Sequence, residues 1–154
     1  MTQEQSITVS RTIDAPAKDI FEVLSNPARH AELDAAGHVV SDHKTDRITA
    51  NGQVFTMNMH GDHMGGDYQT DNHVVGYDEN KLLAWKTAPA GTQPPGWQWV
   101  WTLTPTSQDA TDVSLTYDWS QVTDKELLKK VSFPLIPAQT LEASLGNLAA
   151  AVAS

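Results

Sequence analysis

The chain has 154 residues, of which 40% are apolar and 19% charged, the composition of an ordinary globular domain. It contains no cysteine, which excludes disulfides, thiol nucleophiles and thiolate metal sites. Nineteen acidic residues against ten basic ones give a net charge of −9, and such a surface repels nucleic-acid phosphates and anionic lipid headgroups. We therefore expect no nucleic-acid partner and no membrane insertion. The N-terminus shows no secretory leader, so a cytoplasmic location is expected.

The N-terminal part of the chain predicts one strand followed by two short helices. Apolar and polar residues alternate over Ser6–Ile13, which indicates a strand with one buried face. Asp14 and Pro16 are typical of a helix start, since aspartate caps free N–H groups and proline in the first turn loses no hydrogen bond. Pro27 ends this helix, and a second short helix is expected over Ala28–Leu33.

The central part of the chain predicts six more strands, because short alternating segments are separated by turn residues such as Asn51 and Gly52. The connections are too short for parallel crossovers, so neighbouring strands are expected to pair antiparallel. The predicted strands are His38–Thr45, Gln53–His60, Asp67–Tyr77, Leu82–Thr87, Trp97–Thr104 and Asp112–Trp119.

Beyond the last strand the apolar period changes to that of a helix. Thr123 and Glu126 have the spacing of a capping box, which predicts a short helix through Lys130. A final helix is expected from Pro137 to about Val152, and its apolar stripe consists of Leu141, Leu145, Leu148 and Val152. Strands followed by a separate long helix predict an α+β domain in two layers.

Aromatic side chains are the most unusual feature of the composition, with five tryptophans. Trp97, Trp99 and Trp101 alternate along one predicted strand, so their side chains share one face. Aromatic and methionine side chains on other strands could extend this face into a wall that binds flat or apolar molecules. The alternative, that these side chains fill an ordinary core, stays open at this point. The candidate ligand-binding residues are Phe55, Met57, Met59, Trp85, Trp97, Trp99, Trp101, Tyr117 and Leu145.

One group of residues has the composition of a metal site. His60, Asp62, His63 and Asp67 bring imidazoles and carboxylates together within eight residues, and these ligand types suit Zn²⁺. They straddle a glycine-rich turn with no order of its own, so we expect a solvated acidic loop, no metal and no cofactor.

Two residues bear on whether the interior has room for a ligand. Arg11 shares its predicted face with Val9 and Ile13, so it either meets a carboxylate or ligand anion inside the fold or lies at the rim with its head in water. Gly146, among other small residues of the final helix, is expected to leave space beside the leucine stripe. No arrangement of catalytic residues can be identified, which leaves open whether the chain is an enzyme.

The segment Ser10–Pro27, SRTIDAPAKDIFEVLSNP, resembles the opening of the START-like or SRPBCC superfamily, which includes polyketide cyclases and birch-pollen-allergen-like proteins. The order of predicted elements extends the resemblance over the whole chain, residues 1–154, as a single domain. The resemblance implies a helix-grip fold, in which a seven-stranded antiparallel sheet curls around a long C-terminal helix, with two short helices after the first strand. It also implies an apolar cavity between the sheet and that helix.

The function implied by this resemblance is the binding of a small apolar or amphipathic molecule, lipid- or polyketide-like, in the cavity. Two alternatives follow from other branches of the superfamily. One is an enzyme of the cyclase or dehydratase type that uses the same cavity. The other is an interaction module that activates a chaperone ATPase through its surface.

Overall fold

Seven strands form one antiparallel sheet in the part of the chain that this computed structural model describes, residues 5–43, 45–130, 133–134 and 136–153. The strands are β1 (Ser6–Ile13), β2 (Val39–Asp42), β3 (Val54–Gly61), β4 (Gly66–Asp78), β5 (Leu82–Pro89), β6 (Gln98–Ser107) and β7 (Ala110–Asp118). Their order across the sheet is β1-β7-β6-β5-β4-β3-β2, so the first two strands of the chain lie at opposite edges.

The helices of the described residues are α1 (Ala17–Leu24), α2 (His30–Leu33), α3 (Lys125–Lys130) and α4 (Ala138–Ala153), with 3₁₀ turns at Pro27–Arg29 and Asp62–Met64. The predicted α+β class is confirmed, with its curled seven-stranded sheet, two short helices after β1 and a long C-terminal helix. None of the described helices combines the length and apolar character required to cross a bilayer.

Alternation along the strands separates a concave apolar face from a convex polar face. Val9 of β1 lies opposite Leu115 of β7, and both are buried. The intervening positions carry hydroxyl groups on the other face, where the Oγ atoms of Ser10 and Ser114 lie 2.8 Å apart in a hydrogen bond. The period of two in the sequence therefore fixes which side chains face α4.

The predicted strand His38–Thr45 is too long, because only Val39–Asp42 forms β2. The chain beyond it leaves the sheet edge to reach α1. The Ile48 backbone N–H donates to the Ser25 oxygen at 2.8 Å, and the Ile48 side chain is fully buried. Arg47 reinforces this attachment, since its Nη1 donates to the Glu22 backbone oxygen at 2.7 Å. These contacts hold the segment after β2 against α1, so the strand ends earlier than the sequence predicts.

Helix α4 closes the core on the concave side and contacts β1, α1 and α2. Of its predicted apolar stripe, Leu141, Leu145 and Leu148 are at 2% exposure or less, whereas Val152 is only partly buried. Polar contacts fix the helix against the loop after α2, where the Ser144 hydroxyl accepts from the Ala35 backbone N–H at 3.1 Å. Helix α4 and the buried side chains of β1 and β7 therefore fill the concavity at the β1 edge of the sheet.

Candidate functional site

The nine residues predicted to contact a ligand all belong to the core or pack against it. Five of them are buried, namely Phe55, Met57, Trp101, Tyr117 and Leu145. The other four keep part of their surface accessible, namely Met59, Trp85, Trp97 and Trp99. The structure thus brings all nine residues to the interior, where five are covered by neighbouring side chains and four are covered only in part.

Three aromatic residues form a row across the middle of the sheet, and two of them are only partly buried. Trp85 of β5 lies opposite Trp99 of β6, which lies opposite Tyr117 of β7. The rings of Trp99 and Tyr117 stack with centroids 4.3 Å apart and planes 9° from parallel. Tyr117 is almost fully buried, whereas both tryptophans are only partly buried. We call Trp85, Trp97, Trp99 and Tyr117 the aromatic face.

The next row of the sheet consists of buried side chains. Trp101 stands opposite Leu115 and Leu83, and all three are buried. The Trp101 Nε1 is fully enclosed and has no hydrogen-bond partner in the described part of the chain. Trp101 and Leu145, at 6% and 1% exposure, therefore act as core residues here.

A polar cluster that the sequence reading missed lies on the same concave face. Asn72 of β4 stands opposite Phe55 on one side and Thr87 on the other. The Asn72 side-chain amide donates to the Phe55 backbone oxygen at 3.2 Å and to the Thr70 hydroxyl at 3.3 Å, while its oxygen accepts from the Thr87 hydroxyl at 2.7 Å. These polar groups satisfy one another, so the apolar interior tolerates them.

His30 is a second polar feature of the interior that no pattern in the sequence indicates. It is 7% exposed, and its ring stacks on Trp85 with centroids 5.2 Å apart and lies edge-on to Phe55 at 5.4 Å. Its Nε2 lies 2.7 Å from the Leu24 backbone oxygen. Burial lowers the pKa of His30, and the Leu24 carbonyl and the Asp42 carboxylate only partly oppose this effect.

The predicted acidic site is exposed to solvent, but the expectation of a loop with no order of its own is wrong, because His60 of β3 pairs with Asp67 of β4 and Asp62 begins a 3₁₀ turn between them. The His60 Nδ1 lies 2.7 Å from the Asp67 Oδ1, and these side chains are 54% and 92% exposed. Asp62 is also exposed, and the side chain of His63 lies outside the described residues. Within the described residues no three His, Cys, Asp or Glu side chains come together as a metal site would require.

Arg11 lies at the rim with its head in water, and among the described residues it does not meet an anion inside the fold. Its side chain is exposed, and its Nη1 lies 3.5 Å from the position that a Cβ atom on Gly146 would occupy. Outside α4 this is the only described atom within 4 Å of that position, so the expectation that Gly146 leaves space stays a prediction.

This geometry predicts that Gly146→Ala stabilises the protein. A Cβ atom 3.5 Å from the Arg11 Nη1 is an ordinary van der Waals contact, so no strain is introduced. Alanine is better than glycine in a helix interior by about 1 kcal/mol. Urea denaturation monitored by circular dichroism should show a free energy of unfolding higher by up to about 1 kcal/mol. A lower free energy of unfolding would show that a methyl group at position 146 clashes with its surroundings.

Two open grooves lie at the β2, β3 and β4 side of the sheet. One, of about 690 Å³, is lined by Met59 and Tyr68 together with Val40, Asn58 and Pro89, among others. The other, of about 600 Å³, lies between β3 and the segment 43–49. Of the two, the first includes a predicted ligand-binding residue, since Met59 contributes to its wall.

Comparisons with known proteins agree with this architecture. A family model described as polyketide cyclase/dehydrase and lipid transport matches residues 4–153. An uncharacterized protein of Mycobacterium tuberculosis is 30% identical over 113 residues, which make up 72% of this chain and 47% of that protein. The chain thus spans about half the length of the curated relatives it matches.

Solved structures with the same fold come from distant sequences. The Zhui aromatase/cyclase of Streptomyces sp. R1128 superposes with a TM-score of 0.65 at 15% identity, covering 96% of this chain and 93% of the other. The protein Ms6760 of Mycobacterium smegmatis gives a TM-score of 0.67 at 14% identity, covering 97% and 91%. At 14% and 15% identity, these superpositions show that the proteins share a fold. From the match over residues 4–153, the chain belongs to the polyketide cyclase/dehydrase and lipid transport family.

Proposed function

We propose that the chain binds a small apolar or amphipathic molecule, lipid- or polyketide-like, against the aromatic face. The observation that carries this proposal is the partial exposure of Trp85, Trp97 and Trp99, which share the concave face of the sheet with fully buried core side chains. Leu83 and Leu115, which neighbour these tryptophans in the sheet, are at most 2% exposed. The aromatic face is thus incompletely covered by the protein itself.

An incompletely covered aromatic face favours ligand binding for a simple energetic reason. Each 100 Å² of apolar surface that a ligand removes from water contributes about 2.5 kcal/mol of favourable free energy. Flat rings gain a further contribution from offset stacking on tryptophan. The pair Trp99 and Tyr117, stacked at 4.3 Å, holds one of these rings in place before a ligand arrives.

The polarity of the surroundings supports an amphipathic ligand. Thr87 and Tyr68 face the same interior, and both keep some accessible surface. Ligand binding also demands less of the site than either alternative, cyclase or dehydratase chemistry or the activation of a chaperone ATPase. An open aromatic face serves binding without a reacting group and without a partner protein.

The experiment that tests the proposed function uses Nile red, an apolar dye whose emission rises in dry surroundings. We expect saturable binding of about one dye per chain, weakened at least about tenfold by Trp99→Ala because the stacking surface is lost. Val75→Ala, at a 42% exposed position of β4, is the matched control and should bind the dye like the parent chain. Absence of saturable binding, or equal weakening by both variants, would contradict the proposal.

A further inference from the structure

We propose that His30 selects among the ligands of the aromatic face by accepting a hydrogen bond at Nδ1 from a ligand O–H or N–H group. This inference rests on the proposed function and adds the chemical class of the ligand. The preferred molecule is a flat aromatic ring that carries a hydroxyl or N–H donor. The contacts of His30 provide the argument.

The imidazole ring of His30 is held on three sides. One face stacks on Trp85, Phe55 lies edge-on to the ring, and Nε2 meets the Leu24 backbone oxygen at 2.7 Å. Phe55 and Trp85 also touch each other, with centroids 5.3 Å apart. The ring therefore has a fixed orientation beside a tryptophan of the aromatic face.

The tautomer follows from the Leu24 contact. A backbone carbonyl can only accept a hydrogen bond, so Nε2 carries the hydrogen and Nδ1 carries the lone pair. Because burial lowers the pKa of His30, the ring stays neutral near pH 7 and Nδ1 remains an acceptor. A positively charged ring would offer donors at both nitrogens instead.

The Nδ1 atom has no partner among the described residues, although the residue is more than nine-tenths buried. Three other side-chain atoms are fully enclosed without a partner, namely Thr45 Oγ1, His73 Nε2 and Trp101 Nε1. Nδ1 of His30 is not one of them, so this atom keeps some accessible surface. An unpaired acceptor that remains accessible beside Trp85 of the aromatic face is suited to a ligand donor.

The polar groups of Asn72 and its neighbours do not compete with His30 for a ligand donor. Asn72 uses its amide on the Phe55 oxygen and the Thr70 hydroxyl, and its oxygen accepts from Thr87. These groups are already paired within the protein, whereas the lone pair of His30 is free. Ligand discrimination by a hydrogen bond is strongest where the protein group would otherwise stay unpaired.

The test compares two flat probes that differ in one donor, β-naphthol and its methyl ether, by quenching of tryptophan emission in the full chain. We expect the parent chain to bind β-naphthol about tenfold more tightly than the ether, the ratio expected for one buried hydrogen bond. His30→Phe keeps the aromatic contacts but removes the acceptor, so the ratio should fall to about one while ether affinity stays within about twofold. His30→Gln, which restores an acceptor, should recover part of the preference.

Each outcome decides for or against the inference. Equal affinity of the parent chain for the two probes overturns it, and so does an undiminished preference in His30→Phe. Should His30→Phe fail to fold by circular dichroism, the parent ratio and His30→Gln decide. Nile red binding without a preference for β-naphthol defeats this inference alone, whereas failure of Nile red to bind defeats the proposed function itself.

Discussion

Replacing Leu145 by alanine is expected to lower the free energy of unfolding by about 2–5 kcal/mol, the usual range for a buried leucine in a rigid core. Leu145 is 1% exposed and lies in the middle of α4, between Leu141 and Leu148. Neighbours that belong to a sheet and a helix cannot move inward together, so most of the cavity should persist. Urea denaturation monitored by tryptophan emission measures the change.

The control for this prediction lies on the same helix. Gln139 is exposed, and Gln139→Ala should change the free energy of unfolding by no more than about 0.5 kcal/mol. A loss below about 1 kcal/mol for Leu145→Ala would mean that the surrounding side chains collapse into the space. In that case α4 would be far less fixed than its contacts with β1 and α2 suggest.

Acidification is expected to destabilise the fold through His30 before the carboxylates take part. Burial holds the pKa of His30 below its usual value of 6.5, which the unfolded chain keeps. Between the folded and the unfolded pKa the unfolded state binds more protons, so stability rises with pH and falls as pH drops below about 6.5. Each pH unit in this window changes the free energy of unfolding by up to about 1.4 kcal/mol.

The measurement is a series of urea denaturations between about pH 7.5 and 5 on the parent chain and on His30→Phe, with His43→Gln at an exposed histidine as the control. The dependence on pH should be flatter in His30→Phe than in the other two proteins. The lowered pKa of Asp71, caused first by the Gly91 backbone N–H and then by the Thr56 hydroxyl, acts at lower pH in all three. Identical slopes would show that His30 is not neutral and buried in solution.

The fold could be predicted from the sequence because its signals are local. Alternation over Ser6–Ile13 and the leucine spacing in α4 each report which side of one element is buried. The same alternation placed the aromatic residues on one face, but it could not distinguish the filled row of Trp101 from the open row of Trp99. That difference depends on what covers each row, which the alternation within one strand does not report.

The polar features of the interior could not be predicted for a related reason. Asn72 and Thr87 are 15 residues apart, and His30 meets Trp85 from a different part of the chain. Polar residue types indicate solvent exposure unless a partner is known, and the partners come from the tertiary fold. His30 in particular follows a proline-initiated turn, a context that carries no sign of burial.

The sheet order has a consequence for how the chain folds during synthesis. β1 is made first but pairs only with β7, and the hydrogen-bonded residues Ser10 and Ser114 are 104 positions apart. The intermediate strands can pair with their neighbours as hairpins while the N-terminal strand waits without a partner. Closing so long a loop is entropically costly and slows folding. The N-terminal strand thus joins the sheet only after the ribosome has released nearly the whole domain.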